Sequence, residues 1–310
     1  MASPIDNLVR SASSSKSLNI LVYVFDGYFE YCLAQAFPQH HFYCLKNTAK
    51  IKWNTNVWQP SNNLHLSVEP PSHIVFDCIL SNDFTSHYKS AYTASQMFHI
   101  PLILMEHIPT DKPPNTIKTK HHYISHELVD VSSEGLPIFP YGVGKLNNTL
   151  DKSGVVVISD FTPRDIMVVQ DMIRQSSLPI KIFGNNPGLS KPIDNLYMYK
   201  KTLEEGLIYL HLTSDVNIPV SVLHAMSAGC IVISTKTPLL ENVITKDRGF
   251  LVNSGPDMLS IISKVKNNPD KYVSCGKNAQ NYTQDNFNMK TFTENWSGVF
   301  NKIEKEVVIR

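Results

Sequence analysis

Short apolar runs alternate with longer amphipathic stretches along most of this chain. Residues 20–25, 41–45, 74–80 and 102–105 read as buried strands, with weaker candidates at 123–124 and 138–139. Amphipathic spacing predicts helices over 31–36 and 88–98, while 47–72, rich in Asn and Pro, reads as a long connection. The alternation resumes with strands at 155–158, 180–183, 207–212, 231–233 and 250–252. Helices are predicted from Thr162-Pro163, over 219–228, 256–267 and 269–285, and as a last amphipathic helix over 290–305. Strand–helix alternation of this kind implies parallel sheets with right-handed crossovers. The expected fold class is α/β, with two Rossmann-like domains facing across a cleft.

The boundaries follow from where the alternation lapses. Residues 1–17 are a polar leader, 18–145 a first Rossmann-like domain and 150–290 a second, joined by a polar linker around 142–153; residues 290–310 form a helix that can cross back to the first domain. A chain of 310 residues supports two such cores. The net charge of +1 offers no general attraction for nucleic acid or an anionic membrane, and no apolar run reaches spanning length. Five scattered cysteines, Cys32, Cys44, Cys78, Cys230 and Cys275, form no metal-type or redox pair. With no secretory signal, they point to a reducing, cytoplasmic setting, and the sequons at Asn147, Asn281 and Asn295 read as chance.

The most informative stretch is 207–235. A buried strand leads through Ser214, Asp215, Asn217 and Ile218 into a helix begun by Pro219, Val220 and Ser221; Gly229 stops that helix and a second strand follows. Loops at the carboxyl ends of parallel strands form the ligand crevices of open α/β sheets. A helix start there also presents unpaired N–H groups to an anion such as a phosphate. Asp215 and Asn217 are equally the residue types of a plain helix cap.

This stretch resembles the C-terminal signature of GT-B retaining glycosyltransferases, the family-four type. Pro219, Ala225-Met226, Ala228-Gly229 and Thr235 followed by Glu241 match that pattern, and the turn Phe183-Gly184-Asn185-Asn186-Pro187-Gly188 resembles its Gly-x-Gly-Pro turn. His224 stands where that family has a second Glu, and Asp215/Asn217 only approximate the first. The resemblance implies that Asp215 and Asn217 meet the donor sugar while N–H groups of 218–221 hold a diphosphate. His224 then either holds one ribose hydroxyl through its single acceptor nitrogen or is simply packed. Arg164 would neutralise the leaving diphosphate; Asp160 occupies the place of a second expected cation, and Lys191 reads as a surface charge. From the first domain, His107, after the 102–105 strand, would touch the sugar. Asp26 and Gly27, in the loop after the first strand, would line the sugar or acceptor side, with Gly27 letting the backbone approach. Glu241 would face the nucleotide or act as a helix-start charge, and Gly184 and Asn185 would border the diphosphate.

The implied activity is transfer of a sugar from a nucleotide-diphosphate sugar to an unknown glycan, lipid, protein or nucleic-acid-base acceptor, with retention. No Asp-x-Asp motif occurs, so neither a metal nor any cofactor beyond the donor is expected, and His121, His122 and His126 read as loop or surface histidines. Two rival functions share this architecture. One is a catalytically inactive protein that binds a nucleotide sugar or a partner; the other is a nucleotide-sugar epimerase.

Overall fold

The computed structural model describes residues 17–48, 53–82, 87–105, 122–126, 136–138, 141–149, 151–161, 163–212 and 219–308. The first half carries β1 (Asn19–Tyr23), α1 (Tyr28–Ala36), β2 (His41–Leu45), β3 (Leu64–Ser67), β4 (Cys78–Asn82), α2 (Tyr88–Phe98), β5 (Leu102–Met105), β6 (His122–His126) and β7 (Leu136–Ile138). These strands form one parallel sheet in the order β3-β2-β1-β4-β5-β6-β7. The second half carries β8 (Ser153–Ile158), α3 (Pro163–Gln175), β9 (Ile180–Phe183), α4 (Leu196–Glu205), β10 (Gly206–His211), α5 (Val220–Ser227), β11 (Ile231–Thr235), α6 (Pro238–Val243), β12 (Gly249–Val252), α7 (Gly255–Asn267), α8 (Val273–Asn286) and α9 (Met289–Val308). Its sheet is also parallel, in the order β12-β11-β10-β8-β9. The two Rossmann-like sheets expected from the strand–helix alternation are present.

Residues of one strand divide between faces by parity, as a pleated backbone requires. On β1, Ile20 and Val22 enter one core with Phe42, Cys78 and Ile103, while Leu21 and Tyr23 enter another with Leu45, Ile79 and Leu102. The first of these cores also takes in Val156, Tyr209, Leu223 and Val232 of the second half, so one apolar cluster runs between the two sheets. Within residues 141–149, Tyr141, Val143 and Leu146 are buried, and Ser227 Oγ at the end of α5 donates to Gly144 O at 2.8 Å. Helix α9 buries Phe292, Trp296, Val299, Phe300 and Ile303, a stripe at helical spacing. That stripe meets the first half: Trp296 lies 5.5 Å from the Phe29 ring, and Phe300 lies 4.8 Å from Phe37.

The structure departs from the sequence reading at β3, at α4, and at the strand expected over 74–80, which spans Cys78–Asn82. The presumed connection 47–72 contains β3, the edge strand of the first sheet. Its four residues, LHLS, are too short to rise above the polar background. Helix α4 was also missed, because its sequence LYMYKKTLEE buries only Tyr199 and Leu203. Its start signal was nevertheless legible: the Asn195 side chain accepts a hydrogen bond from the Met198 N–H.

Candidate active site

In each sheet the strand order reverses once. In the first sheet β2 and β4 flank β1; in the second, β9 and β10 flank β8. Loops leaving adjacent strands at such a point go to opposite faces and open a crevice at the carboxyl edge. The crevice of the first sheet is bordered by the loop after β1, and that of the second by the loops after β8 and β10. Asp26 and Gly27 occupy the first. Residues 159–161 and Pro219 border the second, with Arg164 in the first turn of α3 and its side chain outside the described atoms.

The loop after β1 is held by two carboxyl side chains. Glu30, fully buried, accepts from the Phe25 N–H at 2.7 Å and the Gly27 N–H at 2.8 Å, and Asn82 Nδ2 reaches it at 3.3 Å. Asp26 accepts from the Phe29 N–H at 2.9 Å and from the Tyr141 hydroxyl at 2.7 Å. Burial, reinforced by the neighbouring Asp26 charge, pushes the Glu30 carboxyl up to about 8. Burial also raises Asp26, against the pull of its hydrogen bonds. Gly27 has φ +81°, and a Cβ there would stand 2.3 Å from Trp53 Cγ. Its bare face is therefore covered by an indole, which corrects the expectation that this glycine opens the backbone to a ligand.

The turn after β9 is tied to the loop after β8. Asn186, almost fully buried, accepts from the Phe161 N–H at 2.7 Å and donates through Nδ2 to Ser159 O at 2.7 Å. Asp160 accepts from the Asn185 N–H at 2.6 Å. At Gly184, with φ +139°, a Cβ would stand 2.2 Å from Ser159 O, so only glycine fits. Asp160, noted in the sequence only as a missing cation, thus closes the turn. Asn186 was passed over, although an Asn within a Gly-Asn-Asn-Pro turn is a signal for such a strut.

Helix α5 begins after Pro219 at the carboxyl edge, and Ser221 hydrogen-bonds the Tyr209 hydroxyl of β10. His224 is buried on this helix. Its Nδ1 lies 2.9 Å from the Tyr199 hydroxyl of α4, and its Nε2 lies 3.0 Å from the Tyr28 hydroxyl of α1. The Tyr28 proton goes to Gly142 O at 2.9 Å, so Nε2–H donates to Tyr28 and Nδ1 accepts from Tyr199. Burial, with Lys200 adding to it, lowers the imidazole to about 3. Trp58 stacks on the ring at 5.3 Å. Both ring nitrogens are engaged inside the protein, as in the packed alternative, which leaves none for a ribose hydroxyl.

Glu241, in the first turn of α6, pairs with Lys236 at 3.0 Å, both half exposed. Lys191 is exposed. His107, Ser214, Asp215, Asn217 and Ile218 lie outside the described residues, as does His121. Among the described residues no group of three potential ligands could hold a metal, and no helix is long and apolar enough to cross a membrane.

Residues 164–297 match the sequence profile of a family described as Glycosyl transferase-like. Among solved structures, Anabaena HepE in complex with UDP-glucose superposes with a TM-score of 0.65 at 13% identity, over 92% of this chain and 100% of that one. Sucrose-phosphate synthase from Thermosynechococcus elongatus gives 0.65 at 12% identity, over 93% and 99%. A glycosyltransferase from Rickettsia africae gives 0.63 at 10%, over 93% and 98%. At such identities the likeness is one of fold. No curated protein matches the sequence at a significant level.

Proposed function

We propose that this chain is a glycosyltransferase that moves a sugar from a nucleoside-diphosphate donor bound at the β8/β10 crevice, with retention and without a metal; the 164–297 match and the likeness of fold support this reading. The observation that carries the reading is the second sheet's reversal point, where the α5 start and the first turn of α3 border one carboxyl-edge crevice. There the N–H groups of Val220 and Ser221 and the charge of Arg164 would stabilise negative charge gathering on the departing diphosphate. Asp215 and Asn217 would position the sugar from the loop before α5. His107 would meet it from the first half, and Asp26 would border the acceptor. The absence of an Asp-x-Asp motif supports charge neutralisation by side chains and helix ends.

HepE was observed with UDP-glucose, so that donor is the first to test, followed by GDP-, ADP-, CMP- and TDP-sugars. Release of nucleoside diphosphate should appear with at least one donor, and Asp215→Ala or His107→Ala should cut turnover while nearly preserving diphosphate affinity. Full turnover in both variants would remove those roles. A second reading, a protein that binds the donor without transferring it, rests on His224 standing in place of a second acidic residue and on Asp160, in place of an expected cation, closing a turn through the Asn185 N–H. Diphosphate binding with no transfer or hydrolysis from any donor would support it.

A further inference from the structure

The outer strands of the first sheet carry a pair of imidazoles unrelated to the carboxyl-edge crevice. His41 opens β2, and His65 is the second residue of the edge strand β3. The parallel register sets Tyr43 opposite His65, which puts His41, two residues earlier, on the same face. Nδ1 of His41 and Nε2 of His65 face one another at 3.3 Å. Their rings stack at 5.5 Å and 21°, and Tyr43 stacks on His65 at 4.7 Å while its own edge is met by Phe76 at 5.5 Å. Stacking on Tyr43 thus orients the His65 ring, which the His41 ring meets in turn, and both residues remain partly open to solvent.

The geometry points to a bidentate site for a divalent transition-metal ion, with His41 Nδ1 and His65 Nε2 as ligands and water completing the shell. Two Zn–N bonds of about 2.05 Å at a tetrahedral angle hold their nitrogens about 3.3 Å apart, the separation already set by the strands. Without metal, one ring donates an N–H to the other. On binding, that proton moves through solvent to the same ring's second nitrogen, and both facing lone pairs bond the ion. Imidazole nitrogens select Cu2+, Ni2+ and Zn2+ over Mg2+ and Ca2+, with Cu2+ tightest. The ion would clamp edge strand β3 to β2 and stabilise the first half by mass action.

The test titrates the full chain, stripped with EDTA, with CuSO4, ZnCl2 and MgCl2 in a non-coordinating buffer. The readouts are calorimetry and, for copper, electron paramagnetic resonance. One copper or zinc ion per chain is expected, with two-nitrogen coupling in the copper spectrum and no heat from magnesium. His41→Ala and His65→Ala should each weaken binding about tenfold or more and lose the two-nitrogen signature, while His87→Ala, elsewhere on the surface, should change neither. Circular dichroism checks that the variants fold, as expected for partly exposed positions. No saturable binding at millimolar zinc or copper, or equal binding in both variants, overturns the site.

Discussion

Replacing Tyr28 with Phe removes one hydroxyl and leaves the ring, with its 4.5 Å edge contact to Trp58, in place. That hydroxyl donates to Gly142 O and accepts from His224 Nε2–H, and the whole group is buried. Losing the bond to the carbonyl costs about 1 kcal/mol net, and stranding the buried imidazole N–H costs about 1–3 kcal/mol more. No cavity opens, so the expected loss is about 2–4 kcal/mol. Tyr199→Phe removes only the donor to Nδ1 and should cost less, about 1–2 kcal/mol. Urea unfolding followed by circular dichroism measures both as shifts in midpoint at constant slope, and UDP affinity is measured alongside. If Tyr28→Phe stays within about 0.5 kcal/mol of the parent, or shifts UDP affinity while leaving stability unchanged, His224 is not an internal strut and the ribose contact returns.

Glu30, raised to about 8, holds in the native state a proton that the unfolded chain releases above about 4.5, so its contribution to stability declines as pH rises through that window. His224 and His40, lowered to about 3 and about 4, act the opposite way, but only below their ordinary value of 6.5. Urea midpoints should therefore fall between about pH 6.5 and 8.5, and Glu30→Gln should flatten that slope whatever its own baseline; a flat parent profile would show that Glu30 is not the group responsible. Gly184→Ala drives a Cβ into Ser159 O at a positive φ and should cost about 2 kcal/mol or more, with weakened diphosphate binding measured by calorimetry. Arg164→Ala should weaken diphosphate affinity by about 1.5–3 kcal/mol with an unchanged melting temperature; unchanged affinity would remove it from the site.

Strands such as β1, β8 and β10 were legible because each is a continuous apolar run buried on both faces, and Pro219 and Gly229 punctuated α5. β3 and α4 were not, since each buries so little that position in the fold, not composition, makes them regular. At the site, sequence spacing located the loops but not the partners of their side chains. The role of His224 depends on Tyr28, 196 residues away, and on Tyr199, 25 residues away, and no local pattern reports such meetings. Asp160 shows the same limit: its carboxylate serves a turn formed 25 residues later.

The crossing of α9 onto α1 sets an order of events during synthesis. Phe29, Phe37 and Phe42 leave the ribosome early, yet the side chains that seal them, Trp296 and Phe300, come some 250 residues later. At about 5–20 residues per second, the first sheet waits on the order of 10–50 seconds with an aromatic groove uncovered. During that interval the nascent first half presents a hydrophobic surface of the kind chaperones bind. Truncations before residue 289 should lengthen that exposure indefinitely, appearing as chaperone retention or aggregation of a half whose own strands are complete.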